Sequence, residues 1–90
     1  INGLENFFSR QALKFLEKER ILEDKIITII RLALLKFQGE NININIKKLK
    51  GKWFGFYRIR TKGVRIIAEF NFDKCSVLIE KIDWRGEAYK

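Results

Sequence analysis

An α+β fold, with an N-terminal helical hairpin packed on a twisted antiparallel sheet of three to four strands, is predicted by three features of the sequence. Residues 10–37 carry apolar side chains at helical spacing. From Trp53 onward the composition turns aromatic and β-branched. Short polar connections at Thr61-Lys62-Gly63 and Asp73-Lys74 then divide this second half into segments of strand length. Two helices followed by a meander make a two-layer arrangement with one core between the layers.

Each element has a local cause. Ser9 is placed to cap a helix from Arg10 to about Glu19, whose inner side carries Ala12, Phe15 and Leu16, with Leu13 beside them. After a break at residues 20–22, Ile26, Ile29, Ile30, Ala33 and Phe37 repeat at the spacing of a second helix. Glu23 and Asp24 suit its positive N-terminal end, and Gly39 suits its termination. The alternating Asn41-Ile-Asn-Ile-Asn-Ile46 has a strand period, but asparagine disfavours strands. It reads as an extended connector into a basic loop at residues 47–52. Strands are expected at about 52–60, 64–72 and 75–82, with a further strand possible within residues 1–8.

Ninety residues, without proline, repeats or low-complexity tracts, correspond to one domain over residues 1–90. Hydrophobic residues make up 47% and include eight Phe and two Trp, enough for a core without metals or cross-links. The single cysteine, Cys75, excludes an internal disulfide, which suits a reducing, cytoplasmic setting. Residues 1–8 lack the basic start and apolar run of a signal peptide. The longest apolar stretch, 26–35, falls well short of the roughly 20 residues of a membrane span. A soluble chain without membrane association is expected.

Charge is unevenly spread. The net +8 divides into +1 over residues 1–45 and +7 over residues 46–90. Such a lopsided field favours a polyanion or an acidic partner, although a merely solubilising surface has the same signature. Strand alternation puts Arg58 and Arg60 on one face, with Tyr57 and Ile59 on the other. On the next strand, Arg65 and Glu69 oppose Val64, Ile66, Ala68 and Phe70. Helices on the apolar face would leave Arg58, Arg60 and Arg65 together on an open face, with Arg60 near Arg65 across the turn. The competing reading is a solvated outer face on which Glu69 or Glu80 neutralises part of the cluster. Near the end, Trp84, Arg85 and Tyr89 interleave aromatic groups with a cation, a pattern suited to base stacking and phosphate contact. Alternatively, Trp84 closes the core.

Histidine is missing altogether, so no Ser-His-Asp triad and no imidazole-based ribonuclease chemistry can operate within the chain. Zinc would lack its usual ligands, and neither a P-loop nor a dinucleotide fingerprint occurs. No metal or cofactor is expected. The remaining inventory of Arg, Lys, Tyr and carboxylates suits RNA cleavage, because RNA carries its own nucleophile in the 2′-hydroxyl.

The run Leu49-Lys-Gly-Lys-Trp-Phe-Gly-Phe-Tyr-Arg-Ile-Arg-Thr-Lys-Gly-Val-Arg-Ile-Ile67 resembles the signature of the RelE/ParE toxin superfamily. There, a leucine-x-glycine loop precedes a Tyr-Arg-Ile-Arg strand and a Gly-x-Arg-Ile return. The ending Ile82-Asp-Trp-Arg-Gly-Glu-Ala-Tyr89 is similar to that superfamily's closing segment, and Ser9-Arg-Gln-Ala-Leu-Lys matches the opening of its first helix.

The resemblance implies a toxin of a type II toxin–antitoxin pair with a microbial-ribonuclease-like fold. Its RelE-like members cleave mRNA at the ribosome without metal, leaving a 2′,3′-cyclic phosphate and a 5′-hydroxyl. Carried over by position, Arg65 stabilises the transition-state phosphate, Arg85 contacts the phosphate and leaving group, and Tyr89 stacks on the substrate. Arg58 and Arg60 hold RNA. Lys47, Lys48, Lys50 and Lys52 face mRNA or rRNA backbone, and Trp84 lies beside the substrate. Two positions depart from the pattern: Trp84 stands where many members have histidine or lysine, and Asp83 replaces a glycine. A cognate antitoxin, mRNA and the ribosome are the implied partners, in a hetero-oligomeric toxin–antitoxin complex. The alternative within the superfamily is a ParE-like gyrase inhibitor without nuclease activity.

Overall fold

The computed structural model describes residues 4–84. In chain order it contains β1 (Glu5–Phe8), α1 (Arg10–Glu19), α2 (Glu23–Phe37), β2 (Asn45–Lys48), a 3-10 turn (Gly51–Trp53), β3 (Phe56–Thr61), β4 (Val64–Asn71) and β5 (Ser76–Trp84). The strands form one sheet in the order β1-β5-β4-β3-β2. The α+β class is as expected, but the sheet has five strands rather than three or four, and it is mixed, because β1 runs parallel to β5.

Both additional strands are four-residue edge strands whose sequences are weak strand formers on their own. Their neighbours supply the pairing. Glu5 N–H donates to the Cys75 carbonyl at 2.8 Å, and Ser9 N–H donates to the Ile79 carbonyl at 2.9 Å. On the opposite edge, Asn45, Ile46, Lys47 and Lys48 pair with Arg60, Ile59, Arg58 and Tyr57. The expected connector and basic loop are thus corrected in part: residues 45–48 are a strand, and the meander's first strand begins at Phe56 rather than near residue 52. The asparagines are tolerated because Asn43 and Asn45 face solvent, while Ile44 is buried and Ile46 packs against the core.

Helix boundaries follow local chemistry. The Ser9 hydroxyl accepts from the Ala12 N–H at 3.1 Å and donates to the Glu80 carbonyl, so one cap also fixes α1 to β5. At the other end Arg20 adopts a left-handed conformation (φ 57°), and Ile21 N–H reaches back to the Leu16 carbonyl at 2.9 Å. That geometry normally selects glycine. The β3–β4 turn places both Lys62 (φ 50°) and Gly63 (φ 83°) at positive φ, matching the twist of a tight hairpin.

Ala12 and Leu16 of α1, with Ile26, Ile29, Ile30, Ala33 and Leu34 of α2, pack on Ile59, Val64, Ile66, Ala68, Val77, Ile79 and Ile82 of the sheet. Fully burying each such isoleucine contributes about 1.5–3 kcal/mol. Two expected core positions differ. Leu13 is exposed on the outside of α1, and Phe37 lies at the rim among Tyr57, Phe70 and Phe72. No helix among the described residues is long and apolar enough to cross a membrane.

The β4–β5 register contains the feature that shapes the other face. Ala68 pairs with Ile79 but Ile67 pairs with Lys81, so Glu80 is an extra residue in a β-bulge. Up to the bulge, Val77 and Ile79 point into the core. Simple alternation would send Lys81 and Asp83 the same way. The inserted residue reverses the parity: Ile82 and Trp84 enter the core, and Lys81 and Asp83 emerge on the uncovered face. Glu80 is held by α1, its carbonyl by Ser9 and its carboxylate by Gln11 at 3.1 Å.

Candidate functional site

On the uncovered face the register aligns two rows of side chains across the strands. Asn45, Arg60, Arg65 and Asp83 form one; Lys47, Arg58, Ile67 and Lys81 form the other. Neighbouring strands lie about 4.8 Å apart, so members of a row are in reach of one another. The apolar Ile67 makes the floor of a pocket of about 220 Å³. Arg58 and Lys81 flank it within its row, Arg65 and Asp83 close it along the next, and Leu49 and Trp53 wall it from the loop before β3. Trp53 is braced edge-on against Phe56, with ring centroids 5.3 Å apart.

Among the described residues, three cations and one carboxylate therefore surround this pocket. The carboxylate is already engaged: Arg65 Nε donates to Asp83 Oδ1 at 3.0 Å and Nη2 to Oδ2 at 2.8 Å, a two-bond fork with both side chains 24% exposed. Arg58 Nε is buried without a hydrogen-bond acceptor among the described residues. Leaving a buried N–H of a charged group unsatisfied costs about 1–3 kcal/mol, which an incoming anion would relieve. An arginine pair with an ammonium group on an apolar floor is suited to a tetrahedral, multiply charged oxyanion.

Arg65 and Arg58 thus share one pocket, whereas Arg60 borders an adjoining depression of about 360 Å³ with Asn43, Asn45, Thr61 and Lys62. Lys47 stands beside Arg58 on the same face. Lys48 follows the opposite parity on the edge strand, and Lys50 and Lys52 are exposed in the loop. Arg85 and Tyr89 lie outside the described residues. Trp84 is on the helix side: its ring meets Phe15 edge-on at 5.6 Å, and its Nε1 donates to Glu19 Oε1 at 2.9 Å. The placement beside substrate is corrected there in favour of core closure, because parity after the bulge turns Trp84 inward.

Sequence reasoning missed Lys81 and the wall formed by Leu49 and Trp53. No local signal marks Lys81, since only the bulge brings it round. Asp83 stood out as a departure, but its partner did not. Glu69 is exposed in the next row and Glu80 is bonded to α1, and among the described residues the carboxylate paired with the cluster is Asp83. Among the described residues no group of three His, Cys, Asp or Glu side chains could hold a metal ion.

No protein-family model matches the chain, and no curated protein matches it. Solved structures do. A chain of the RelB–RelE antitoxin–toxin complex from Methanococcus jannaschii is 24% identical, with 92% of this chain and 94% of that chain covered and a TM-score of 0.58. A metal-bound toxin from Helicobacter pylori is 16% identical over 93% and 97% of the two chains, with a TM-score of 0.66. A chain of the heterotetrameric YoeB–YefM toxin–antitoxin complex from Staphylococcus aureus is 22% identical over 91% and 97%, with a TM-score of 0.61. The chain has the α+β fold of RelE-type toxins. At these identities the likeness is one of fold.

Proposed function

We propose that this chain is the toxin of a type II toxin–antitoxin pair and cleaves mRNA at the ribosome, without a metal, thereby inhibiting translation. The observation that carries the reading is the pocket lined by Arg58, Arg65 and Lys81 on the uncovered face of a RelE-type fold. The 2′-oxygen of the substrate attacks the adjacent phosphorus and gives up its proton. The bond to the 5′-oxygen breaks, and that oxygen takes a proton. The products are a 2′,3′-cyclic phosphate and a 5′-hydroxyl, so the step is balanced without a water molecule.

The pocket's part is electrostatic. Charge accumulates on the non-bridging oxygens as the phosphorane forms, and donors fixed beforehand around that position stabilise the transition state more than the ground state. Arg65 and Arg58 fill this role, with Lys81 as a third cation. Arg60 and Lys47 extend the cationic track for flanking phosphates, and Lys50 and Lys52, exposed in the loop before β3, continue it toward ribosomal RNA, whereas Lys48, of opposite parity, stands apart from this track. The resemblance assigns Arg85 to the leaving group and Tyr89 to base stacking. A cognate antitoxin with an acidic, amphipathic segment would restrain the toxin by covering this face.

The test is cleavage of mRNA in a translating extract. Wild-type protein is expected to give fragments with 5′-hydroxyl ends, and Arg65→Ala to lose roughly two to three orders of magnitude in rate, as for removal of one transition-state donor. Undiminished cleavage by Arg65→Ala would remove the site assignment. Inhibition of gyrase supercoiling without any RNA cleavage would replace this reading with the gyrase-inhibitor alternative.

A further inference from the structure

We propose that Asp83 is a positioning residue for Arg65, exchanging affinity for RNA against orientation of the guanidinium. The inference rests on the nuclease reading above and deepens it.

Three observations converge on this position. Arg65 stands directly between Arg60 on β3 and Asp83 on β5 in one row. Like charges facing each other across neighbouring strands repel, which pushes the Arg65 side chain away from Arg60. Asp83 opposes that displacement with a fork at 3.0 and 2.8 Å, which restrains the guanidinium in its plane as well as its place. Asp83 reaches this face only because the Glu80 bulge reverses the parity of β5. The bulge itself is held by Ser9 and Gln11 of the α1 N-terminus. The carboxylate also lines the same pocket as Arg58 and Lys81, where it faces any bound phosphate with the wrong sign.

Those two actions have opposite consequences for the two states of the substrate. In the ground state, the phosphodiester feels the Asp83 charge as repulsion and binds less tightly. At the transition state, an arginine already held in one geometry contributes without first giving up its rotamer freedom. A residue that merely braced the fold would have no reason to move affinity and rate in opposite directions. The resemblance places glycine here, so the fork belongs to this chain's own sequence.

The experiment compares wild type, Asp83→Asn and Asp83→Glu in two assays. One is the affinity for a short 2′-O-methyl RNA that cannot be cleaved; the other is the single-turnover cleavage rate on programmed ribosomes. Asp83→Asn is expected to bind the oligonucleotide roughly three- to tenfold more tightly at low salt and to cleave at least about tenfold more slowly. Asp83→Glu restores the charge with altered geometry, so its affinity returns to the wild-type level while its rate stays between the other two. Weaker binding by Asp83→Asn, or a rate within about twofold of wild type, overturns the proposal.

Should wild-type protein cleave no RNA, the nuclease reading fails, and the positioning claim is then decided separately. The Arg65 Nε–H resonance is expected to exchange slowly with solvent in wild type and quickly in Asp83→Asn. Equal exchange in both overturns it. If Asp83→Asn does not fold, Asp83→Glu carries both comparisons: wild-type affinity with a reduced rate supports the proposal, and loss of both refutes it.

Discussion

Salt dependence offers a quantitative test of the open face. Among the described residues, Lys47, Arg58, Arg60, Arg65 and Lys81 project from it, and the Asp83 carboxylate pairs with Arg65. Four of these charges meeting RNA phosphates would give a slope of about −3 for the logarithm of affinity against the logarithm of salt, taking about −0.7 per phosphate of a single strand. Between 50 and 200 mM salt, affinity for an uncleavable RNA should then fall by about fiftyfold. Arg58→Ala removes a cation from the pocket wall and should flatten the slope to about −2, with a loss of about twentyfold over the same range. Asp83→Asn should steepen it by nearly the same increment. The assay is fluorescence anisotropy of a labelled 2′-O-methyl oligonucleotide at four or more salt concentrations. A wild-type slope shallower than about −1, or an Arg58→Ala slope equal to wild type, would refute the claim that these side chains act together on phosphate.

Other expectations concern the scaffold. Ile66, fully buried at the centre of the sheet, should cost about 2–5 kcal/mol as Ile66→Ala in urea denaturation. Trp84→Phe should lose about 1–2 kcal/mol through the missing bond to Glu19 while leaving RNA affinity unchanged; a weakened affinity would return Trp84 to the substrate side. Arg20→Gly relieves a left-handed residue at the end of α1 and should raise stability by about 0.5–1 kcal/mol, read as an increased denaturation midpoint.

Much of the molecule was legible because its causes are local. The Ser9 cap, the apolar spacing of α1 and α2, and the Lys62-Gly63 turn each depend on residues a few positions apart, and each lies where the sequence indicates. The facing of Arg60 and Arg65 followed from that turn. The edge strands were harder. Asn45 and its neighbours do not favour a strand, and β1 needs a parallel partner more than 70 positions away, since Glu5 pairs with Ser76. Phe37 fits a helical stripe as well as Leu34 does, yet at the last residue of α2 it lies at the rim, 39% exposed, among other aromatics.

Composition and order alone determined that a basic second half would fold as strands beneath two amphipathic helices, and that these 90 residues offer no imidazole to any reaction. Which charges share a pocket was decided in three dimensions. Parity along β5 depends on how it pairs with β4, and the single extra residue at Glu80 is stable there because Ile82 and Trp84 gain the core while Ser9 and Gln11 hold the bulge. Alternation read straight along the strand would have buried Lys81 and Asp83. Desolvating two charged groups is far costlier than one bulge, so the sheet changes register and delivers both to the open face beside Arg65.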